Sequence, residues 1–252
     1  MEPLDTASAI AAPLGTVGAA FYFSPEASAR AEEIGIDVVT LYAAGRGGVL
    51  GGLSPEEVDD EFFFFKTGMI SGVVTAGRTM ADPDAILAAH LASADDYALA
   101  TFGGLSGSIL PEFQTAAATV ISALPTGSWA LADGYRAAPA RVEPAAAAYM
   151  SAVILRELRG GVHRDAVVAA GMSNAVACQF DQGDGYFRLH GFGDGDMVEE
   201  TPEVIAAKEA VEQATERKMA ELLSVLDDDG CRALVVGAGG MLDAVSSPRR
   251  VD

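Results

Sequence analysis

The chain has 252 residues, half of them hydrophobic, which is enough for one large domain or two small ones around a sizeable core. This composition excludes global disorder. The 36 Asp and Glu residues against 16 Lys and Arg residues give a formal net charge of −20. Because such a surface repels phosphate groups, the charge predicts that nucleic acid and anionic membranes are poor partners, and it favours basic or zwitterionic small molecules or a basic protein partner.

The N-terminal segment and the cysteines favour a cytoplasmic protein without a membrane segment. Residues 6–23 are apolar, but an acidic flank precedes them and Pro13 interrupts them, which is unlike a signal peptide or a membrane span. The two cysteines, Cys178 and Cys231, are too few for a disulfide framework and form no zinc motif. Since the three histidines are also scattered, we expect no metal site, and we predict no cofactor.

Start and stop signals of helices follow one another through the first half of the chain. The motif Ser24-Pro25-Glu26 is a typical helix start, with a capping serine, a proline at the first helical position and an acid in the first turn. That helix stops at Gly35, and Asp37 starts another over residues 38–44. The remaining helices predicted here begin at Ser54 or cover residues 82–99 and 111–124.

The second half begins sharply at Glu143-Pro144 and is also rich in helix signals. Its predicted helices cover residues 144–159, 163–170, 174–180 and 201–226, with a final helix after residue 230. Residues 181–196 are different because they are rich in glycine and aspartate. Alternation between residues 186 and 190 predicts a strand, or a small β-hairpin near residues 184–192.

Two stretches of the chain share a pattern of helix, glycine, polar cap and second helix. They are residues 30–48 and 166–184, in which Gly35 and Gly171 occupy equivalent places. A pseudo-repeat of two related helical halves accounts for this pattern better than an α/β fold. Chance similarity among helices that end at glycine is the alternative. The predicted fold is mainly α, with an N-terminal helical half over residues 1–142 and a C-terminal half over residues 143–252.

Four segments are similar to a known family: residues 21–26, 42–51, 155–163 and 211–217. Through them, most of residues 8–226 resembles a family of actinobacterial proteins described as helix-turn-helix or winged-helix-like. The resemblance implies two winged-helix-like halves and no established activity. An excess of Arg over Lys, 13 against three, also fits an actinobacterial genome rich in G and C.

The chain departs from this family where a recognition helix would lie. Members usually have an acid- and tryptophan-rich helix after the second glycine stop, whereas residues 181–201 here contain glycines and aspartates around Arg188. Side chains that read the major groove are Arg, Lys, Asn or Gln. We therefore expect this chain to be unfit for reading DNA.

Two residues are candidates for catalysis. His163 begins a predicted helix, and histidine is the side chain most easily tuned for proton transfer near neutral pH. Arg46 lies in a glycine-rich turn, where its guanidinium group could clamp a carboxylate, sulfate or phosphate. The structural alternatives are a histidine bonded to a neighbouring helix and an arginine that caps the preceding helix.

Six further residues are candidates for binding a substrate. Tyr22 and Tyr42 are flanked by small residues and could line a cavity, although packing is the simpler role. Glu26 follows a Ser-Pro cap, where helix capping is the simpler role. In an extended segment Tyr186, Arg188 and His190 would share one face, and a solvated hairpin is the alternative.

These features together predict a small-molecule-binding helical protein of specialised metabolism, and more narrowly a cofactor-independent enzyme for cyclisation, elimination or isomerisation. In this hypothesis Arg46 and Arg188 hold an anionic group while His163 moves a proton. The first alternative is a non-catalytic ligand sensor or a subunit of a complex with a small protein partner. The second alternative is a transcription regulator.

Overall fold

The structure is a computed structural model that describes residues 1–105, 107–182 and 184–247, with the side chains of residues 181, 182 and 184 outside that description. Helices account for the described fold, and the prediction of a mainly α protein is confirmed. A π-helical turn covers Leu41–Gly45, and a 3₁₀ turn covers Asp194–Asp196. The helices are α1 (Pro3–Ala19), α2 (Pro25–Glu33), α3 (Val38–Thr40), α4 (Arg46–Gly48), α5 (Pro55–Glu61), α6 (Met69–Met80), α7 (Pro83–Phe102), α8 (Ile109–Ala123), α9 (Ala130–Ala137), α10 (Pro144–Ala169), α11 (Asn174–Gln182), α12 (Asp184–Leu189), α13 (Pro202–Leu223) and α14 (Asp228–Ser246).

Polar caps begin the helices at the places where the sequence predicts them. The Ser24 hydroxyl accepts a hydrogen bond from the backbone N–H of Ala27 at 3.2 Å, and Ser54 with Glu57 forms a reciprocal capping box. Asp82 caps α7 in the same way. Each of these caps satisfies N–H groups that have no partner inside the helix, which fixes the start of the helix.

The main hydrophobic core lies among α1, α8, α10, α13 and α14. Leu14 of α1, Phe113 of α8 and Leu155 of α10 are all 1% exposed or less. Gly237 lets α14 pack closely against α8, because a Cβ atom at this position would lie 2.4 Å from Cβ of Phe113. Helices from both sides of residue 143 share this core, and the division into residues 1–142 and 143–252 stays a prediction.

The long helix α10 differs from its predicted form. The pair Gly160-Gly161 does not stop it, and the predicted helices over residues 144–159 and 163–170 are one helix of 26 residues. Burial explains the difference, since Leu158 and Val162 on either side of the pair are 2% exposed or less. Packing of this apolar face outweighs the low helix propensity of two glycines.

The β-hairpin predicted near residues 184–192 is wrong, because α12 and a turn occupy this segment. The backbone N–H of His190 donates to the carbonyl of Tyr186 at 3.0 Å, as in a helical turn. Phe187 and His190 point inward, three residues apart, while Arg188 and Leu189 are exposed. An apolar pattern of five residues fits both the helical and the strand period, so it does not distinguish them.

Two helix–turn–helix units have the same turn. Residues 34–37 join α2 to α3, and residues 170–173 join α10 to α11. The second residue of each turn is a glycine with positive φ, Gly35 at 75° and Gly171 at 67°, a conformation that favours glycine. The third residue of each turn donates its backbone N–H to a carbonyl five residues earlier, at 3.1 Å in both. The fourth residue, Asp37 or Ser173, accepts a hydrogen bond from a backbone N–H three residues later.

Within the described part of the chain, no helix combines the length and the apolar composition needed to cross a membrane.

Candidate functional site

A cavity of about 690 Å³ lies between the first helix–turn–helix unit, the four consecutive phenylalanines and the second half of α10. This volume is typical of sites for small molecules. Some of its lining is buried, such as Phe62 and Cys178, whereas Ser128, Asp165 and Val168 are exposed and mark its mouth. Its charged and aromatic lining residues are Tyr42, Arg46, Glu61, Phe62, Phe63, Phe64, Phe65, Trp129, Arg156, Glu157, Arg159, His163, Arg164, Asp165, Tyr186 and His190.

A buried ion pair between Arg46 and Glu157 forms the inner wall of the cavity. The Arg46 guanidinium donates from Nη2 to Glu157 Oε2 at 2.7 Å and from Nε to Oε1 at 3.2 Å. Arg46 is 8% exposed and Glu157 3%. The π-helical turn before Arg46 sets its position, and a glycine is required there because a Cβ atom on Gly45 would lie 2.5 Å from Cβ of His90. Bidentate geometry of this kind is the strongest arrangement for a guanidinium and a carboxylate.

A second guanidinium shares the same carboxylate. Arg156 donates from Nη1 to Glu157 Oε1 at 2.5 Å, and the Tyr22 hydroxyl donates to that oxygen at 2.8 Å. Although burial opposes ionisation, Arg46 and Arg156 lower the pKa of Glu157 to about 2. Burial, followed by the charge of Glu157, raises the pKa of Tyr22, which is therefore a neutral phenol. This cluster has two positive charges and one negative charge.

His90, which the sequence analysis did not single out, lies behind this cluster. Its side chain is 1% exposed, and its Nε2 lies 2.7 Å from the Tyr135 hydroxyl. Burial and the nearby charge of Arg46 lower the pKa of His90 to about 3, so the ring is neutral. It adds no positive charge to the cluster and instead packs against the rings of Phe21 and Tyr22.

His163, predicted to be catalytic, lines the same cavity as Arg46. Its Nδ1 lies 3.1 Å from the Thr215 hydroxyl and 3.5 Å from Glu212 Oε1, both on α13. Its ring stacks on Phe64, with centroids 5.6 Å apart. These contacts match the alternative of a histidine bonded to a neighbouring helix. They do not support the predicted catalytic role of His163.

The predicted binding residues separate into two groups. Tyr42, Tyr186 and His190 line the cavity, and the Tyr186 and His190 rings lie with centroids 3.8 Å apart. Tyr22 lies behind the wall and reaches the cluster through its hydroxyl. Glu26, in the first turn of α2, and Arg188, exposed on α12 and paired with Asp194, stand outside the described lining.

Sequence reasoning missed Glu157 and Arg156, which form the charged centre of the cavity with Arg46. A signal was present, because an Arg-Glu pair that directly follows the largely apolar, alanine-rich residues 144–155 must find partners when this part of the helix is buried. Trp129 is the single tryptophan of the sequence. It stands at the mouth and donates from Nε1 to Asp165 Oδ2 at 3.0 Å, and Gly161 leaves it room, since a Cβ atom there would lie 2.5 Å from its ring.

Most lysine and arginine side chains in the described structure are paired with carboxylates. In the described part of the chain, no three His, Cys, Asp or Glu side chains lie close enough together to bind a metal ion.

Comparison with curated proteins and with solved structures returned no match. A family profile described as "Helix-turn-helix family" matches residues 7–192, about three quarters of the chain. This match points to DNA binding and regulation. It overturns the prediction of a cofactor-independent enzyme and the prediction that nucleic acid is a poor partner, both of which relied on net charge. It agrees with the second alternative, a transcription regulator, and we conclude that the chain belongs to the helix-turn-helix family.

Proposed function

We propose that this chain is a cytoplasmic, DNA-binding transcription regulator of actinobacterial origin. The observation that carries the proposal is membership of the helix-turn-helix family over residues 7–192. In such proteins the second helix of the unit enters the major groove, and its N-terminal residues contact the base edges.

The second of the two units is the better candidate for this contact. In the first unit, the helical stretch after the turn faces the interior, because Leu41, Ala43 and Arg46 are all buried. In the second unit, Ser173 is exposed and Asn174 is partly exposed at the start of α11. The Ser173 hydroxyl can contact a base edge, whereas both ends of the Asn174 amide are bonded within the protein, to Phe65 and Ala175.

Two cations lie beside the start of α11. The Asn174 amide donates to the carbonyl of Phe65 at 3.0 Å, and the backbone N–H of Lys66 donates to the carbonyl of His190 at 2.9 Å, which places Lys66 and α12 next to α11. The side chains of Lys66 and Arg188 are 48% and 56% exposed, and they pair with Asp196 and Asp194. Exposed pairs of this kind contribute little, so phosphates can replace the carboxylates.

The acidic surface determines how this binding depends on salt. Two phosphate contacts release few counterions, and log Kd should therefore change with log salt with a slope of about 2, far below that of proteins with a basic face. Glu199 and Glu200 follow the same segment and weaken the contact further.

Fluorescence anisotropy with DNA from upstream of the encoding gene tests the proposal. At about 50 mM salt, where phosphate contacts are strongest, we expect binding that is tighter than binding to a random duplex of equal length. The double variant Lys66→Ala, Arg188→Ala should weaken it by roughly tenfold or more. The matched control is Lys218→Ala, Arg232→Ala, which removes two exposed cations paired with Glu221 and Asp229 on α13 and α14. Absence of binding at this salt concentration would refute the proposal, and equal loss in both double variants would exclude α11 as its site.

A further inference from the structure

We propose that the cavity beside α10 is a binding site for a planar organic carboxylate. Its anionic group binds Arg46 and Arg156, and its flat body packs against the aromatic wall.

The charge balance of the cluster supports an anion as the ligand. Arg46 and Arg156 share the single carboxylate of Glu157, and Tyr22 and His90, which lie beside this cluster, are neutral. One positive charge is therefore left without a counter-charge in this cluster, at a place that is mostly shielded from water. A buried charge without a partner costs far more than a paired one, and a bound anion would remove that cost.

Arg156 is positioned to meet such an anion. Its side chain is 24% exposed and lines the cavity, whereas that of Glu157 is 2% exposed. Within the described residues its hydrogen bonds to Glu157 and Tyr22 both come from Nη1. A guanidinium presents five N–H groups, so Arg156 retains donors that can receive a carboxylate.

The other arginines that line the cavity leave no positive charge in excess. Arg164 pairs with Glu61 at 2.7 Å, and Arg159 pairs with Glu212 at 2.9 Å. Both are one-to-one pairs between a guanidinium and a carboxylate. The anion site is therefore assigned to the cluster around Arg156 rather than to the cavity as a whole.

The walls of the cavity favour a flat apolar body. The Arg46 guanidinium lies 4.3 Å from the centroid of the Phe62 ring, and the rings of Phe65 and His190 have centroids 4.1 Å apart. Trp129 closes one side of the mouth. Aromatic rings arranged in this way bind planar groups through stacked and edge-to-face contacts.

Calorimetry with 2-naphthoate tests the inference, with the neutral isostere 2-naphthamide as the matched ligand. We expect the carboxylate to bind roughly tenfold or more tightly than the amide. Binding of both ligands with equal affinity, or of neither, would overturn the inference. The measurement needs no DNA, so its outcome is independent of the proposed function.

Two variants locate the site. Arg156→Gln should abolish the preference for naphthoate over naphthamide, while Arg232→Gln, an equal change on the exposed face of α14, should preserve it. Gly160→Phe should fill the cavity, since a Cβ atom on Gly160 meets nothing within 4 Å and this glycine lines the cavity. Gly72→Phe, in the equally open environment of α6, is its control. If Arg156→Gln and Gly160→Phe fold and bind both ligands as the wild type does, the assignment is wrong.

Discussion

Replacing Glu157 with Gln removes the only carboxylate that Arg46 and Arg156 share in the described cluster. The pair is buried, and breaking a buried pair by neutralising one partner costs about 3–5 kcal/mol, because the remaining charges stay out of water. The lowered pKa of Glu157 gives a similar free energy. A fall from 4.5 to about 2 corresponds to about 3 kcal/mol of stabilisation of the folded state. We therefore expect the free energy of unfolding at pH 7 to fall by about 3 kcal/mol.

Urea unfolding, followed by circular dichroism, measures this change. The control is Glu212→Gln, because Glu212 also pairs with an arginine of α10 at 2.9 Å but its side chain is 35% exposed. An exposed pair contributes about 1 kcal/mol or less, so the control should be close to the wild type. If Glu157→Gln costs no more than Glu212→Gln, the cluster is not the buried charged centre described above.

Two further predictions concern the same cluster and its support. The folded state holds the pKa of Glu157 below its ordinary value, so its stabilisation is complete above pH 4.5 and is lost as the pH falls towards about 2. The difference in unfolding free energy between wild type and Glu157→Gln should therefore shrink to less than half between pH 7 and pH 3, and a constant difference would contradict this assignment. Gly45→Ala should cost about 1–3 kcal/mol in urea unfolding, because its Cβ would overlap His90. Gly72→Ala, a helical glycine with open space around it, should be neutral or stabilise by about 0.5–1 kcal/mol, and equal effects of the two changes would show that His90 moves aside freely.

Local signals in the sequence predicted much of the fold. Capping residues and glycine stops act over three or four residues, and for this reason Ser24, Gly35 and Gly171 marked real boundaries. The local signals do not predict helix α1, because Pro13 lies inside it and proline is disfavoured in a helix interior. Its buried face, with Ile10 and Leu14 at 1% exposure, packs against α10 and α14, and this long-range packing decides the outcome.

The candidate site was harder to predict, because it joins residues that are far apart in the sequence. The contact between Arg46 and Glu157 spans 111 positions. Its glycine-rich surroundings make Arg46 a candidate from the sequence, and the structure places it in a buried ion pair at the wall of a cavity. Nothing local to Glu157 indicates its partner. The place where two distant segments meet depends on the packing of α10 against the helices around it, which a single sequence does not display.

Net charge misled the functional interpretation because it averages over a surface on which charges act locally. Screening limits interactions between exposed charges to about 8–10 Å at physiological salt, so a phosphate beside α11 responds to the charges around it and not to the sum over the whole surface. The same chain with a net charge of −20 contains a cavity cluster with one positive charge in excess. A local arrangement of this kind can bind an anion that the whole surface repels at long range, and the acidic surface then slows the approach of the anion more than it weakens the contact. Total charge is therefore a guide to the salt dependence and the rate of anion binding, whereas the positions of Lys66, Arg156 and Arg188 decide whether an anion is bound.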